Sequence, residues 1–336
     1  MEILSTSAHD LERAARAIHD GLLVAIPTET VYGLGANAWD TRALARVFEA
    51  KNRPSFDPLI VHVAEPGDAA QIADLSVPHA RLLMEHFWPG PLTLVLPKRD
   101  CVPDLVTSGL STVAVRCPAN LVAREIIRRS GVPVAAPSAN PFGYLSPTLA
   151  GHVAAQLGDR IDFIVDGGRC SLGVESTVLD LSSDPPLILR PGGLPLEYIA
   201  GVVPGVQVFD RSTTSPRAPG QLPSHYAPTR PLYLVPAHRL VASLAEAGRL
   251  RNCGSRTVAL CFGRDSAAQA RACPGFGLVI DLSPDSDPVE AAAVLFERLH
   301  ELDLAGWDEI WAERLPDHGI GRAVNDRLFK ASVKAV

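Results

Sequence analysis

The chain has 336 residues, 47% of them hydrophobic and 20% charged, with a formal net charge of −6; such a composition belongs to a globular protein rather than a disordered or fibrous one. Its length exceeds what a single hydrophobic core usually serves, so two domains are expected. The acidic balance argues against extensive non-specific nucleic-acid binding but leaves room for a local basic groove. The apolar runs 21–27 and 92–96 fall far short of the ~20 residues of a membrane helix, so no membrane partner is expected.

Taken in chain order, Leu11, Ala14, Ala15 and Ile18 recur at helical spacing and predict a helix over 10–20, which Gly21 ends in favour of a strand over 22–27. A second helix is expected at 41–50, capped by Asp40 or Thr41, then a strand at 59–63 and a helix at 78–87. Further strands are expected at 92–96, 113–116, 132–135, 163–166, 176–180 and 187–189. Short apolar strands mixed with helices, without a strict βαβ rhythm, imply an α/β fold with one twisted open sheet of mixed direction over 1–210. Pro216, Pro219, Pro223 and Pro228 leave little regular structure possible over 211–230, which reads as an interdomain linker. Beyond it, strands at 232–235, 257–262, 278–282 and 309–312 alternate with helices at 238–249, 288–302 and 320–334. That alternation predicts a smaller Rossmann-like parallel-sheet domain over 231–336. This domain has no G-x-G-x-x-G turn, and Phe262-Gly263-Arg264 is too short for a phosphate loop.

Six cysteines, at 101, 117, 170, 253, 261 and 273, form no C-x-x-C pair, which argues against zinc and against a disulfide scaffold; reduced, mostly buried thiols are expected. The first twenty residues carry Glu2, Asp10, Glu12 and Asp20 and no apolar core before a cleavage site, so a cytoplasmic location is expected.

The densest chemical signal is Pro27-Thr28-Glu29-Thr30-Val31-Tyr32-Gly33-Leu34-Gly35, an apolar strand that turns into a loop rich in hydroxyls and backbone donors; capping threonines of an ordinary turn would look the same. Lys51-Asn52-Arg53-Pro54 sets two cations at a helix end, where they suit either the helix dipole or a polyphosphate. His62, in the apolar run 59–63, reads as a core histidine or a ligand contact. Arg116 closes the apolar strand of Thr112 to Arg116, a place where ligands sit in α/β sheets and where a guanidinium can hold a carboxylate. Ala135-Ala136-Pro137-Ser138-Ala139-Asn140-Pro141 ends another strand in small and polar residues on a rigid turn, and Ser146, Ser176 and Arg190 repeat that pattern. The chain carries no G-x-S-x-G, H-E-x-x-H, Walker or kinase motif. Its cations, hydroxyls and amides suit the positioning of charged substrates rather than nucleophilic catalysis.

In combination, 27–35, 51–54, 58–63, 138–140 and 173–180 resemble, in order, the YrdC-like domain of the L-threonylcarbamoyladenylate synthases. The segment 218–228, with Pro219-Gly220 and His225-Tyr226-Ala227-Pro228, is similar to the linker of the long, two-domain members, and 319–328 to the tail of their second domain. The resemblance implies a reaction of L-threonine, bicarbonate and ATP, with Mg²⁺ accompanying the ATP, that yields threonylcarbamoyl-AMP and pyrophosphate for a downstream tRNA-modifying machinery. It implies threonine contacts at Thr30, His62, Arg116, Ala136 and Ser176. It implies ATP contacts at Lys51, Arg53, Asp57, Thr112, Ser138, Asn140, Ser146, Arg190 and Tyr226, with Tyr226 on a lid that keeps water from a mixed anhydride. Asp57 departs from the Asn common at its position, and an acid there would repel phosphates unless a cation intervenes. A carbamoyltransferase with a YrdC-like domain and a double-stranded RNA or tRNA-binding module are the competing readings; direct tRNA binding is left open.

Overall fold

The computed structural model of the chain describes residues 1–209, 226–248 and 256–333. Among these, 1–142 and 146–209 form one compact unit, and 143–145, 226–248 and 256–333 form a second. The expected linker over 211–230 is described only from Tyr226 onward, within the second unit; Cys253, Arg249 and Lys334 also lie outside the described residues.

In the first unit the strands are β1 (Glu2–Leu4), β2 (Val24–Ile26), β3 (Gly33–Asn37), β4 (Ile60–His62), β5 (Leu92–Pro97), β6 (Thr112–Arg116), β7 (Val134–Ala135), β8 (Phe163–Val165), β9 (Thr177–Asp180), β10 (Leu187–Arg190) and β11 (Gln207–Val208). They form one sheet in the order β1-β8-β2-β3-β7-β4-β6-β5-β9-β10-β11, with parallel and antiparallel pairs mixed as the sequence predicts. In the second unit β12 (Leu232–Val235), β13 (Thr257–Cys261), β14 (Leu278–Asp281) and β15 (Glu309–Glu313) form a wholly parallel sheet ordered β12-β15-β13-β14, the expected Rossmann-like arrangement.

Local chemistry sets the elements that carry the site. The helix Ala8–His19 buries Leu11, Ala14, Ala15 and Ile18 and starts on Ser7, whose hydroxyl accepts from the Asp10 amide at 3.2 Å. The helix Thr41–Lys51 starts on Asp40, which accepts from the Arg42 amide at 2.8 Å, and stops at Asn52 in the left-handed conformation. One expectation fails, and helices occur where none is expected, at Ala150–Leu157, Leu196–Val202 and Arg264–Arg271 as well as at Leu121–Ser130. The segment from Gly33, read as loop, is strand β3, and at Gly33 the backbone packs closely on Ala136, where a Cβ would lie 3.2 Å from the alanine Cβ. The helix Leu121–Ser130, capped by Asn120 and closed by Gly131 at φ +68, was not anticipated between its flanking strands.

The two faces of the central strands differ. Val61, Leu94, Val113, Val115, Leu179 and Ile188 enter the main apolar core beneath helices, each fully buried aliphatic side chain contributing about 1.5–3 kcal/mol. The opposite face carries only a thin apolar set, Ile60, Val95, Ala114, Val178 and Leu189. Cys117, Cys170 and Cys261 are buried thiols whose pKa burial pushes up to about 12, which leaves them unreactive.

Candidate active site

The thin face is where the polar residues gather, and strand periodicity explains why. Side chains two apart share a face, so His62 follows Ile60, Thr112 and Arg116 flank Ala114, and Ser176 precedes Val178 on one surface. The parallel register of β4 and β6 sets His62 directly beside Arg116. A register shift between Ile188 and Arg190 brings Arg190 opposite Val178, onto the same face.

Arg116 is 3% exposed and held from three sides. Its Nε donates to Gly90 O at 3.1 Å, Nη1 to Thr30 Oγ1 at 2.9 Å and Nη2 to Glu29 Oε1 at 2.6 Å. Thr30 is oriented in turn by Thr28, whose hydroxyl lies 2.8 Å away and donates to Val31 O at 2.6 Å. Burial alone would raise the pKa of Glu29, but the Arg116 charge and the backbone donors of Ala119 and Glu29 outweigh it and hold the carboxyl below its usual range. His62 is buried and its pKa falls to about 3, first through desolvation and then through the Arg116 charge, so the ring is neutral. Its Nδ1 makes no hydrogen bond with the described residues.

Ser176 lies beside Thr93, Oγ to Oγ1 at 2.8 Å, and beneath Arg190, whose Nη2 reaches Ser176 Oγ at 3.1 Å and Ser176 O at 2.9 Å. This contact depends on Gly192: a Cβ there would come within 2.3 Å of the Ser176–Thr177 backbone. The sequence segments 173–177 and 189–192 are thus pressed together without an intervening side chain.

Lys51, expected to offer a mobile charge to phosphates, is instead 1% exposed, its ammonium donating to Ser138 O at 2.6 Å and to Asn140 O. Burial and then the charge of Arg53 push its pKa well below the ordinary value. In this position Lys51 clamps the 138–140 turn. Arg53 donates to Asp57 O at 3.0 Å and Pro58 O at 2.8 Å and forms an ion pair with the Asp57 carboxylate at 2.9 Å. The repulsion expected from Asp57 is therefore offset by its own partner. Desolvation nevertheless raises the Asp57 pKa, opposed by Arg53, Lys51 and Arg190, three cations whose fields converge on it.

Of the other expected contacts, Ser138 is half-buried on the turn that pairs with Gly33, and Asn140 is buried beside it. Ala136 is buried where its amide donates to Ile60 O at 2.9 Å, and the Ser146 hydroxyl donates to the Glu175 carboxylate. Thr112 stands at the far end of β6, roughly 13 Å from Arg116 on the same face at the usual rise per residue. Tyr226 belongs to the second unit, where its ring lies 5.9 Å from that of Phe296 and under Arg327 at 4.9 Å. Glu29, Thr28, Thr93 and Glu175 are site residues that the sequence reading did not assign; acids at the margins of apolar strands, Glu29 after β2 and Glu175 before β9, were the available signal.

The chain matches two family models, one described as telomere recombination (the Sua5, YciO and YrdC proteins) over residues 16–192 and one described as threonylcarbamoyl-AMP synthase, C-terminal domain, over 195–333. It is 42% identical to a threonylcarbamoyl-AMP synthase of Pyrococcus abyssi over 95% of this chain and 93% of that protein. It is 43% identical to one of Bacillus subtilis, over 98% and 94%. The crystal structure of P. abyssi Sua5 complexed with L-threonine superposes with a TM-score of 0.88 at 41% identity, covering 98% of this chain and 97% of that one. Escherichia coli YciO, 20% identical over 57% of this chain and 95% of its own with a TM-score of 0.51, shares the fold of the first unit. With both models matched in order and relatives aligned along nearly the whole length, the chain belongs to the threonylcarbamoyl-AMP synthase family.

Proposed function

We propose that the chain joins L-threonine, bicarbonate and ATP into L-threonylcarbamoyl-AMP, releasing pyrophosphate, and so supplies the threonylcarbamoyl group for the modified adenosine beside the anticodon of tRNA. The observation that carries this reading is the single polar face on which Arg116 with Thr30, and Arg190 with Ser176, are held in fixed hydrogen-bonded poses. Its resemblance to a relative crystallised with L-threonine extends over nearly the whole chain.

In this reading the threonine carboxylate meets Arg116, with Thr30, His62, Ser176 and the Ala136 backbone around it. A neutral His62 adds no charge that would compete for the anion. The threonine nitrogen takes up bicarbonate as a carbamate with loss of water; a carbamate oxygen attacks the α-phosphorus, and the bond to the β-phosphate breaks as pyrophosphate leaves. Arg53 and Arg190 offset the charge of the triphosphate, Lys51 braces the 138–140 turn, Thr112, Ser138, Asn140 and Ser146 fix the nucleotide, and Tyr226 belongs to the segment that excludes water. No protein nucleophile is required.

Mg²⁺ would arrive with the nucleotide. Among the described residues no group of three or more His, Cys, Asp or Glu could hold a metal ion; in this reading phosphate oxygens would hold it. The product passes to a threonylcarbamoyl-transfer machinery in the cytoplasm; no helix among the described residues is long and apolar enough to cross a membrane. Pyrophosphate release from ATP should require both L-threonine and bicarbonate, and equal release with threonine omitted would reject the reading.

A further inference from the structure

The two oxygens of Glu29 are used unequally. Oε1 accepts from Arg116, whereas Oε2, equally enclosed, completes no hydrogen bond with any described group. A buried carboxylate oxygen without a donor is unfavourable, and its persistence calls for a ligand that supplies one. Arg116 presents the complement. Of the five guanidinium N–H donors, three go to Gly90, Thr30 and Glu29, which leaves one on each terminal nitrogen. Two donors of positive charge and one acceptor of negative charge, buried side by side, match the two ends of an α-amino-acid zwitterion.

We infer that Glu29 Oε2 receives the amino group of the amino-acid substrate while Arg116 takes its carboxylate, so that Glu29 selects an α-amino acid over a plain carboxylic acid. The inference rests on the reading of this pocket as the threonine site. His62 Nδ1 likewise makes no hydrogen bond with a described group, but the ring is neutral and offers an ammonium no counter-charge. The Arg116 charge counters burial and keeps Glu29 ionised and ready for that role. Carboxylation of the substrate nitrogen leaves one N–H on it, so the same contact persists as ammonium becomes carbamate.

A brace for Arg116 and a receptor for the amine predict different specificities. The full chain is titrated with L-threonine and with β-hydroxybutyrate, the same skeleton without the amine. Wild type should bind β-hydroxybutyrate about 100-fold more weakly, because that ligand leaves the buried Glu29 Oε2 without a donor. Glu29→Gln should lose roughly 10- to 100-fold in threonine affinity while β-hydroxybutyrate affinity stays within about threefold, which collapses the discrimination. Equal affinity of wild type for both ligands would overturn the inference without any variant having to fold, as would a proportional loss of both ligands in Glu29→Gln. Wild type that binds neither ligand would instead remove the threonine reading on which the inference stands.

Discussion

The two sheets of this chain treat buried charge in opposite ways. In the first, Arg116, Glu29, Arg53 and Arg190 are paired yet keep polar atoms directed at one thin face. In the second, the carboxyl edge of the parallel sheet, where ligands usually sit in open α/β folds, is closed by its own acids. Glu313, 2% exposed, accepts from the Phe262 amide at 2.7 Å and the His238 amide at 2.8 Å, and Asp281 accepts from the Gly263 amide at 3.0 Å. The Phe262 and Gly263 amides, which could hold a phosphate, are already bound to carboxylates. A Rossmann-like topology therefore carries no implication of a nucleotide here, and the chemistry belongs to the sheet whose polar groups still face outward.

Substitutions on the two sides should separate function from stability. The largest effect is expected at Arg116→Ala: L-threonine affinity should fall by at least about 100-fold in calorimetric titration with ATP affinity held within about threefold. Stranding Glu29 should also lower stability by about 3–5 kcal/mol. An equal loss of ATP affinity would dissolve the division of the face into threonine and nucleotide ends.

Next in size is an acid sensitivity centred on His62. Its folded pKa of about 3 lies below the unfolded ~6.5. Between these values the unfolded chain binds the extra proton, so the His62 contribution is fully present above pH ~6.5 and is lost as pH falls towards ~3. Relative to His62→Gln, the wild type should lose about 2 kcal/mol between pH ~7.5 and pH ~5, read from denaturant unfolding at each pH. Parallel pH profiles for the two proteins would show that His62 is protonated without cost.

The smallest effect is expected in the second sheet. Glu313→Gln keeps one acceptor and loses the other, and should cost about 1–2 kcal/mol in thermal unfolding with kcat and both substrate affinities unchanged. A gain of ATP binding by that unit in Glu313→Gln would mean that the carboxylate had been masking a nucleotide site.

Much of the first sheet was legible because its strands alternate: Thr112, Ala114 and Arg116 against Val113 and Val115 can be sorted into faces from sequence alone. The helix Leu121–Ser130 was equally legible in principle, from Asn120 at its start and Gly131 at its end, and was missed because strand-like runs flank it closely. The pairings inside the site were not. Glu29 meets Arg116 across 87 positions, and Lys51 reaches Ser138 and Asn140 across 87 and 89. No local pattern encodes such contacts, so a lysine that braces a turn reads the same as one that waits for phosphate. Even Arg53 and Asp57, only four apart, were not read as partners: they lie past the end of the helix Thr41–Lys51, where a four-residue spacing does not set two side chains together.

The burial of Lys51 has one more consequence. The chain holds only four lysines, at 51, 98, 330 and 334, among 31 basic residues. An amine-acylating reagent thus meets few competitors, and it can reach the Lys51 amine only after the 138–140 turn has let go. Acylation at that position, followed by peptide mass analysis, would act as a clock for the opening of the first sheet, ticking at the frequency with which native molecules expose their interior.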